Sequence, residues 1–512
     1  MARPITGEEL YSALLGDEQL AILDLRTPAE RADGHIAVSA GLSLHDLEQR
    51  IADLVPHAST PIVVVGTPEW EARGAEVLER LGYRDVSTLD DGVGGWQSAG
   101  GRLYTGTNVR SKTLGEWIEH TYQTPTVESA TLAGWLAAGD DVVILDSRTP
   151  AEYLHHHIPG GLNTGGGAEV TYRALQAITD PATKVVVNCQ GRTRGIVGAQ
   201  SLINTGIPNQ VFSLHNGTPA WEWAGQPVEF GAGVDLAAPD EIEPSLREWA
   251  ASTLQKAGVA IVDPAQAQAY VDEEVSTYVL DVRARDEYAA GHFAAAVHTP
   301  GGQLVQATDD FVAVRRSRVI LVDTGDFVRA ANTAQWLRFL HDGPISVIAY
   351  AAGADVIRPH QVVIAVPTER RVTWDEVTRW QSERSVRLVD VRSSARYAAG
   401  HVPGSVHARR EHLGGLVADG STVVLIGDKD FVADHLADST DVWVLDGGID
   451  SAVIALSTDD PQHAGPVVDR TGAPEFGPER DAWYVAYFEW ELSLLSESKG
   501  DPFFDFDTVS AT

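Results

Sequence analysis

The sequence predicts an α/β protein of four small domains in tandem, each a mostly parallel sheet flanked by helices. Three observations carry this prediction: a three-residue motif occurs four times with constant spacing, an apolar run precedes each copy, and a second apolar run follows it. Such self-similarity indicates repeated structural units, and short apolar runs that alternate with helical patterns favour parallel sheets. The 512 residues are also too many for a single core.

The repeated motif is an aspartate, an arginine two residues later and a histidine eleven residues after the aspartate. It occurs in "LDLRTPAERADGHIA", "LDSRTPAEYLHHHIP", "LDVRARDEYAAGHFA" and "VDVRSSARYAAGHVP". Its members are Asp24, Arg26 and His35; Asp146, Arg148 and His157; Asp281, Arg283 and His292; and Asp390, Arg392 and His401. A three-point spacing kept four times indicates one fold used four times.

Strands and helices are predicted around each motif. The apolar run before the motif predicts a strand, and helical patterns such as "ESATLAGWLAAG" and "TWDEVTRWQSE" come before it. A second strand is predicted downstream in each domain: "PIVVVG" at 61–66, "KVVVNC" at 184–189, "RVILVD" at 318–323 and "TVVLIG" at 422–427. A helix and a third short strand then complete the unit.

Domain boundaries are predicted where Pro, Gly and charged residues accumulate, near 100–125, 226–245 and 359–369. The predicted domains are residues 1–105, 106–232, 233–365 and 366–460, followed by a C-terminal extension over 461–512. The first two linkers each contain a predicted amphipathic helix, "VRSKTLGEWIEH" and "PSLREWAASTLQ". The extension ends in an aromatic stretch, which we expect to pack on the domains rather than to form a separate functional element.

The charge and cysteine content argue against several classes of function and site. Asp and Glu number 72 against 38 Lys and Arg, a formal net charge of −34 at pH 7, which disfavours binding to nucleic acids or anionic membranes. The chain shows no signal-peptide pattern and no apolar run of about eighteen residues, so we expect a cytoplasmic protein without a membrane span. A single cysteine excludes an internal disulfide and a cysteine-based metal cluster.

Cys189 lies in "VVVNCQGRTRG", directly after a predicted buried strand. The helical spacing of "GIVGAQSLINTG" makes the intervening residues a tight strand-to-helix loop: Gln190, Gly191, Arg192, Thr193, Arg194 and Gly195. Backbone N–H groups of such a loop bind anions, and Arg192 and Arg194 add positive charge. These features favour the thiolate and predict a lowered pKa for a nucleophilic Cys189. The alternative, a small buried hydrophobic residue, does not account for two adjacent arginines.

The upstream "DSRTPAEY" and the loop "CQGRTRG" together resemble the rhodanese family of sulfurtransferases, and the chain resembles a tandem of four rhodanese homology domains over about residues 5–460. One departure is that the motif histidine follows another histidine in "LHHHIPG". The resemblance implies that Cys189 takes sulfur from a small anionic donor such as thiosulfate, forms a persulfide and passes the sulfur to cyanide, a thiol or a protein. It implies no cofactor.

The other three domains lack the nucleophile. Alignment of the second strands places Gly66, Asp323 and Gly427 opposite Cys189, in the loops "GTPEWEARG", "DTGDFVRAA" and "GDKDFVADH". These domains resemble inactive rhodanese modules, so only residues 106–232 are expected to be catalytic. We expect Asp323 to repel anionic donors, and the inactive domains to serve in packing, as pocket walls or in acceptor docking.

Several residues near the motif have two interpretations. Asp146 and His157 recur in the inactive domains, so we expect both to be structural, Asp146 by accepting backbone N–H bonds. Arg148 is expected either to pair with Glu152 or to approach the cysteine loop.

Two further groups lie downstream of Asp146. The run His155–His157 is not expected to bind a metal, because adjacent residues seldom converge on one ion. After the glycine-rich "GGLNTGGGAEVTYR", Tyr172 and Arg173 are expected either to line a pocket or to lie on the surface.

The predicted mechanism is a double displacement, with Arg192, Arg194 or both holding the anionic end of the donor. Because no second cysteine exists, an outside acceptor must release the sulfur. One alternative is a scaffold that delivers sulfur within a thiolation pathway. Another is a phosphatase of the kind that resembles this fold, but those enzymes use a Cys-x₅-Arg loop, whereas Cys189 to Arg194 is Cys-x₄-Arg.

Overall fold

A computed structural model describes residues 2–351, 357–359, 370–417, 421–429, 431, 441–474 and 476–511. The chain forms two compact units, Met1–Thr107 with Gln361–Gly472 and Asn108–His360 with Ala473–Thr512. Apart from residue 359, the linker predicted over 359–369 lies outside the described residues. None of the helices in the described ranges combines the length and apolar character that a bilayer crossing needs.

The first sheet belongs to the unit that contains the N-terminus. Its strands are β1 (Arg3–Ile5), β2 (Leu20–Asp24), β3 (His35–Ile36), β4 (Ala40–Gly41), β5 (Ile62–Val65), β6 (Val86–Leu89) and β7 (Leu103–Tyr104). The helices are α1 (Gly7–Leu15), α2 (Pro28–Asp33), α3 (Leu47–Leu54), α4 (Pro68–Arg80) and α5 (Gly92–Ser98). The parallel order is β1-β6-β5-β2-β4, and β3 pairs antiparallel with β7.

The second sheet begins the other unit. Its strands are β8 (Thr126–Val127), β9 (Val142–Asp146), β10 (Leu162–Asn163), β11 (Lys184–Asn188), β12 (Val211–Leu214) and β13 (Val234–Asp235). Its helices are α6 (Val109–Tyr122), α7 (Ser129–Ala138), α8 (Pro150–His155), α9 (Gly167–Arg173), α10 (Thr193–Asn204) and α11 (Gly217–Trp223), with a 3-10 turn at Ala174–Gln176. All strands are parallel, in the order β8-β12-β11-β9-β10-β13.

The third sheet lies in the same unit as the second. Its region contains β14 (Ala260–Ile261), β15 (Thr277–Asp281), β16 (Val297–His298), β17 (Val314–Arg315), β18 (Arg318–Asp323) and β19 (Ile345–Ala349). The helices are α12 (Pro244–Lys256), α13 (Pro264–Asp272), α14 (Arg285–Ala290), α15 (Gly301–Gln306) and α16 (Val328–Leu337), with a 3-10 turn at Thr308–Asp310. The parallel order is β14-β19-β18-β15-β16.

The fourth sheet returns to the N-terminal unit. Its strands are β20 (Arg371–Val372), β21 (Val386–Asp390), β22 (Val406–His407), β23 (Thr422–Ile426), β24 (Val442–Leu445) and β25 (Gln462–His463). Its helices are α17 (Trp374–Glu383), α18 (Ser394–Ala399) and α19 (Arg410–Val417), with a 3-10 turn at Gly448–Ser451. The parallel order is β20-β24-β23-β21-β22-β25.

The C-terminal segment contains α20 (Pro478–Glu497), a 3-10 turn (Pro502–Phe504) and α21 (Phe506–Ala511) in the unit that holds the second and third sheets. The shared strand order confirms the predicted fold class, a repeated α/β domain with a mostly parallel sheet. The helices expected in the first two linkers are α6 and α12. β13 and β25 extend the second and fourth sheets just past the predicted limits at 232 and 460, and the exact domain limits stay a prediction.

The core of the second domain lies on both faces of its sheet. Val185 and Val187 of β11 face one side, with Ala199 of α10, whereas Val186 faces the other with Trp221. Every residue of β11 after Lys184 is buried, as expected for a parallel strand covered by helices on both sides. This packing fixes the end of β11, which is the position of Cys189.

A buried ion pair links the motif residues in every domain. The arginine Nε and Nη2 donate to both carboxylate oxygens of the aspartate at 2.6–3.0 Å, and Nη2 also donates at 2.7–2.8 Å to the backbone carbonyl just before the motif histidine. Each histidine Nδ1 lies 2.9–3.1 Å from the carbonyl four residues earlier. The motif therefore ties the end of a strand to the turn after the next helix.

In the first, second and fourth domains, a glycine turn after the last core strand lies in close contact with the loop that follows the second strand. Gly92, Gly217 and Gly448 have φ of +51°, +57° and +61°. A Cβ at these positions would lie 2.8, 2.4 and 2.7 Å from the carbonyl oxygens of Gly66, Cys189 and Gly427, respectively. Glycine is required there by both conformation and space.

We predict that Gly92→Ala lowers the thermal unfolding midpoint of the protein, because the methyl group needs a left-handed conformation and meets the Gly66 carbonyl. The free energy of unfolding should fall by at least about 1 kcal/mol. Gly134→Ala is the matched control, since Gly134 lies in the exposed middle of α7 with no atom within 4 Å of the added Cβ. Its midpoint should stay equal or rise. Equal midpoints for Gly92→Ala and the unmodified protein would contradict the prediction.

Candidate active site

Cys189 follows β11 at the carboxyl edge of the second sheet, the edge where ligands bind in parallel α/β folds. The side chain is buried, at 2 % exposure. The Gly191 N–H donates to its Sγ at 3.3 Å, and the Gly195 N–H also bonds to the sulfur. The loop is shorter than predicted: α10 already begins at Thr193, so Arg194 and Gly195 lie in its first turn.

The predicted lowering of the thiol pKa is wrong. Burial raises the pKa of Cys189 and is the largest influence on it; Arg194 and the N–H groups of Gly191 and Gly195 act in the opposite direction, and Glu491 raises it further. The expected anion-binding N–H groups are present. The difference arises because the sulfur is covered, a property that the local sequence does not show.

Both loop arginines are paired with carboxylates. Arg192 Nε and Nη2 donate to Glu116 at 2.7 and 2.8 Å, and Nη2 also bonds to Glu119. Arg194 donates to the two oxygens of Glu152 at 2.8 and 2.6 Å and holds the pKa of that carboxyl at about 2, against the effect of its burial. Each loop arginine therefore has a carboxylate partner in this arrangement, and the role of Arg192, Arg194 or both in holding a donor stays a prediction.

Arg148 contacts the cysteine loop and pairs with Asp146, whereas Glu152 is taken by Arg194. The Arg148 Nη1 donates to Gln190 Oε1 at 2.6 Å. The carboxylate of Asp146 also accepts the Arg148 backbone N–H at 3.0 Å, the kind of bond that was expected of it. Arg148 thus connects the buried ion pair of the motif to the first residue after Cys189.

The C-terminal helix α20 covers the loop. Gln190 Nε2 donates to the Tyr484 hydroxyl at 2.7 Å, and Thr193 Oγ1 donates to Glu491 Oε1 at 2.6 Å. The rings of Tyr487 and Phe488 lie 3.5 and 3.6 Å from the place where a Gly191 Cβ would be. Sequence reasoning missed these residues. Their i, i+3, i+4 and i+7 spacing was a signal of one helix face, but not of its target.

The helix α6, which was expected only as a linker helix, lies on the same loop. A Cβ on Gly115 would lie 3.0 Å from Thr193, and Glu116 holds Arg192. One turn earlier, the buried Lys112 has its ammonium 5.1 Å from the centre of the Tyr487 ring and 4.8 Å from that of Trp490. Residues of α6, α10 and α20 therefore surround Cys189.

Tyr172 and Arg173 make contacts away from the cysteine loop among the described residues. The Tyr172 ring lies under the Arg329 guanidinium, with 4.1 Å from the guanidinium carbon to the ring centre. Arg173 donates to Glu169 at 2.6 Å and to the Leu236 carbonyl at 2.6 Å. Tyr172 thus serves packing against the third domain, and Arg173 joins α9 to the segment after β13.

His157 stacks on Tyr153 with ring centres 4.1 Å apart, the same place that the motif histidine takes in the third and fourth domains. His155 and His156 contact each other through their Nδ1 atoms at 2.8 Å. Within the described ranges, no grouping of three or more His, Cys, Asp or Glu side chains is suited to a metal ion.

Two of the thiol-free loops are occupied by their own carboxylates. Glu71 Oε1 accepts the Gly66 N–H at 2.9 Å, and burial raises the pKa of Glu71 to about 7. Asp323 accepts the N–H groups of Thr324 and Ala330 at 2.8 Å and the Arg329 Nε at 3.0 Å. Asp323 is therefore paired with Arg329 and hydrogen-bonded within its own loop, and its effect on anionic donors stays a prediction. The fourth loop is described only at 427–429 and 431.

Comparisons with known proteins agree with this architecture. The sequence profile described as "Rhodanese-like domain" matches residues 6–99, 129–224 and 373–454, more than half of the chain. The third sheet lies outside these matches but has the same strand order.

The crystal structure of thiosulfate sulfurtransferase from Pseudomonas aeruginosa superposes with a TM-score of 0.89 at 34 % identity, covering 98 % of this chain and 99 % of that one. "Putative thiosulfate sulfurtransferase SseB" of Mycobacterium tuberculosis is 26 % identical over 202 residues, 32 % of this chain and 70 % of that protein. The chain belongs to the rhodanese family.

Proposed function

We propose that the protein is a sulfurtransferase that carries sulfur on Cys189 as a persulfide. The observation that carries the proposal is the single thiol at the carboxyl edge of the second sheet, with N–H groups of Gly191 and Gly195 directed at its sulfur. The similarity to a thiosulfate sulfurtransferase over nearly the whole chain supports the same chemistry. We further propose that the reaction takes place in the cytoplasm, where a lone thiol stays reduced.

In the first step the Cys189 thiolate attacks the outer sulfur of a donor such as thiosulfate. A bond forms between Sγ and that sulfur, the sulfur–sulfur bond of the donor breaks, and sulfite leaves with the electron pair. Because sulfite is a stable anion, its departure needs no general acid. The thiol proton passes to solvent before attack, and the N–H groups of Gly191 and Gly195 stabilise the persulfide anion.

In the second step an acceptor nucleophile attacks the outer persulfide sulfur. Cyanide, a thiol or a protein acceptor takes that atom, and the Cys189 thiolate leaves. An internal disulfide cannot release the sulfur, because Cys189 is the only cysteine of the chain. The acceptor therefore comes from outside, and the three other domains contribute structure rather than a second sulfur carrier.

We expect thiosulfate to increase the intact mass of the purified protein by one sulfur atom. The matched variant Cys189→Ala should show no increase and no transfer to cyanide, because the only thiol is gone. Mass spectrometry before and after cyanide checks both steps. Sulfur retained by Cys189→Ala, or an unchanged mass of the unmodified protein with every sulfane donor, would contradict the proposal.

The buried thiol predicts an unusual pH profile for alkylation. Since burial raises the pKa of Cys189, the rate of reaction with iodoacetamide should reach half its plateau at a higher pH in the folded protein than in urea. The same cysteine in the unfolded chain, with a pKa of about 8.5, is the internal reference. A folded-state midpoint at or below the urea value would contradict the assignment.

Arg194→Gln should raise the thiol pKa further, because Arg194 is the strongest of the groups that lower it. Alkylation at neutral pH should slow by about tenfold, the factor that corresponds to one pKa unit. Arg173→Gln serves as the control, since Arg173 also forms an ion pair in this domain but with Glu169. Equal slowing in both variants would show a general loss of structure instead.

A further inference from the structure

A groove of about 570 Å³ lies at the end of α10 that is farther from Cys189. It is bounded by α6, α10, α12, α16 and α21, and the residue that α10 contributes is Asn204, the last of that helix. The cysteine loop instead leads into Thr193, the first residue of α10. The 12 residues of this helix span about 18 Å, so the groove is separate from the site of Cys189. Its volume is in the range of sites for small molecules.

One wall of the groove is a single face of α12. The residues that form it have the i, i+3, i+4 and i+7 spacing of one side of a helix: Trp249, Ser252, Thr253 and Lys256. Trp249 is half-buried, and its side chain makes no ring contact or hydrogen bond with another described residue. One indole face and the indole N–H are therefore left for a ligand.

Other aromatic residues that line the groove are fixed by contacts with one another. The ring of Trp336 lies 6.2 Å from that of Tyr122, edge to face, and 6.3 Å from that of Phe339, measured between ring centres. The Trp336 Nε1 donates to Ser201 Oγ at 2.8 Å. Trp336 and Phe339 are buried, whereas 41 % of Tyr122 is exposed. The groove thus has a rigid aromatic surface, on which a flat ring can pack.

Two cations line the groove without a carboxylate partner in the described part of the chain. The Arg338 guanidinium carbon lies 5.0 Å from the centre of the Phe339 ring, and Lys256 is exposed in the last turn of α12. Neither side chain forms an ion pair or hydrogen bond with a described residue, and none of the described lining residues is Asp or Glu. By contrast, Arg192 and Arg194 of the cysteine loop are both paired. In a chain with 72 acidic and 38 basic residues, this groove is a local site for an anion.

Two side-chain amides line the groove in a fixed orientation. Asn204 Nδ2 donates to Gln335 Oε1 at 3.1 Å, Asn204 Oδ1 accepts from Gln200 at 2.8 Å, and Gln335 Nε2 donates to Asn332 at 2.7 Å. Each amide nitrogen carries two N–H groups, so Asn204 and Gln335 both retain one donor. Asn and Gln amides are the groups that pair with the hydrogen-bonding edge of a nucleobase.

We propose that this groove binds a mononucleotide. A flat ring, a hydrogen-bonding edge and a negative charge are the three features that its walls match, and a mononucleotide has all three. The base would stack on Trp249, and the phosphate would contact Arg338 and Lys256. A ligand with one phosphate is also compatible with the net charge of −34, which disfavours long polyanions. The inference goes beyond the proposed sulfur transfer and does not depend on it.

Equilibrium dialysis of the full-length protein tests the proposal with AMP and UMP, a purine and a pyrimidine nucleotide. At least one should bind with a Kd of about 1 mM or lower. The matching nucleoside lacks the charge and inorganic phosphate lacks the ring, so each should bind at least about tenfold more weakly. Absence of binding by both nucleotides would overturn the proposal, and so would equal affinity for the nucleotide and for phosphate.

Variants assign the binding to this groove. Trp249→Ala and Arg338→Gln should each weaken nucleotide binding about tenfold, whereas Trp249→Phe and Arg338→Lys should retain most of it. Arg247→Gln is the matched control, because Arg247 is exposed on the same helix and does not line the groove. Equal weakening in Arg247→Gln and Arg338→Gln, or unchanged binding in Trp249→Ala, would overturn the assignment.

The outcome is distinguishable from that of the proposed function. Cys189→Ala should bind the nucleotide as tightly as the unmodified protein, because the thiol and the groove lie at opposite ends of α10. Trp249→Ala should still take up one sulfur atom from thiosulfate. A protein that binds nucleotide but takes no sulfur from any donor would overturn the proposed function alone. A protein that takes up sulfur but binds neither nucleotide would overturn this inference alone.

Discussion

The buried aspartate–arginine pair at the end of the first core strand is the interaction on which each domain depends. Its guanidinium satisfies both carboxylate oxygens and the carbonyl before the motif histidine, so one side chain joins a strand, a helix and the following turn. Breaking such a buried pair costs about 3–5 kcal/mol. This explains why the motif recurs in domains without a thiol: the pair maintains the fold whether or not the neighbouring loop carries chemistry.

In the second domain the same pair has an additional contact. Arg148 reaches Gln190, and Gln190 reaches Tyr484 of the C-terminal helix. The cysteine loop is therefore bound to the second sheet through Arg148 and to α20 through Gln190. It is bound to α6 through the ion pair of Arg192 with Glu116. Positive charge at this loop is paired with carboxylates, yet Arg194 still lowers the thiol pKa more than the N–H groups of Gly191 and Gly195 do.

The repeated architecture and the position of the nucleophile could be predicted from the sequence, because both depend on local patterns. A strand period, a fixed Asp–Arg–His spacing and a lone cysteine before glycine and arginine are all visible within about twenty residues. The register of the second core strand against the first is the same in all four sheets. Gly66, Asp323 and Gly427 therefore occupy the position equivalent to Cys189, as the alignment of the strands predicted.

What could not be predicted depends on residues far apart in the chain. Arg192 is paired by Glu116, some 76 positions away, and Cys189 is covered by a helix about 290 residues downstream. The sequence shows that two arginines are present but not which carboxylates meet them, so the thiol pKa was predicted in the wrong direction. Lys112 and Glu491 carried no local signal, since neither belongs to a motif.

The carboxylate inside the third-domain loop takes part in the contact between the second and third domains. Asp323 occupies the N–H groups of its own loop, and Arg329 is shared among Asp323, Glu287 and Glu169 of the second domain. With a cysteine at 323, Arg329 would have one partner fewer. The loop after residue 323 is also one residue longer than the loop after Cys189. A cysteine at 323 alone would therefore not reproduce the loop of Cys189. The position equivalent to Cys189 in the third domain instead belongs to an ion-pair network that joins the second and third domains.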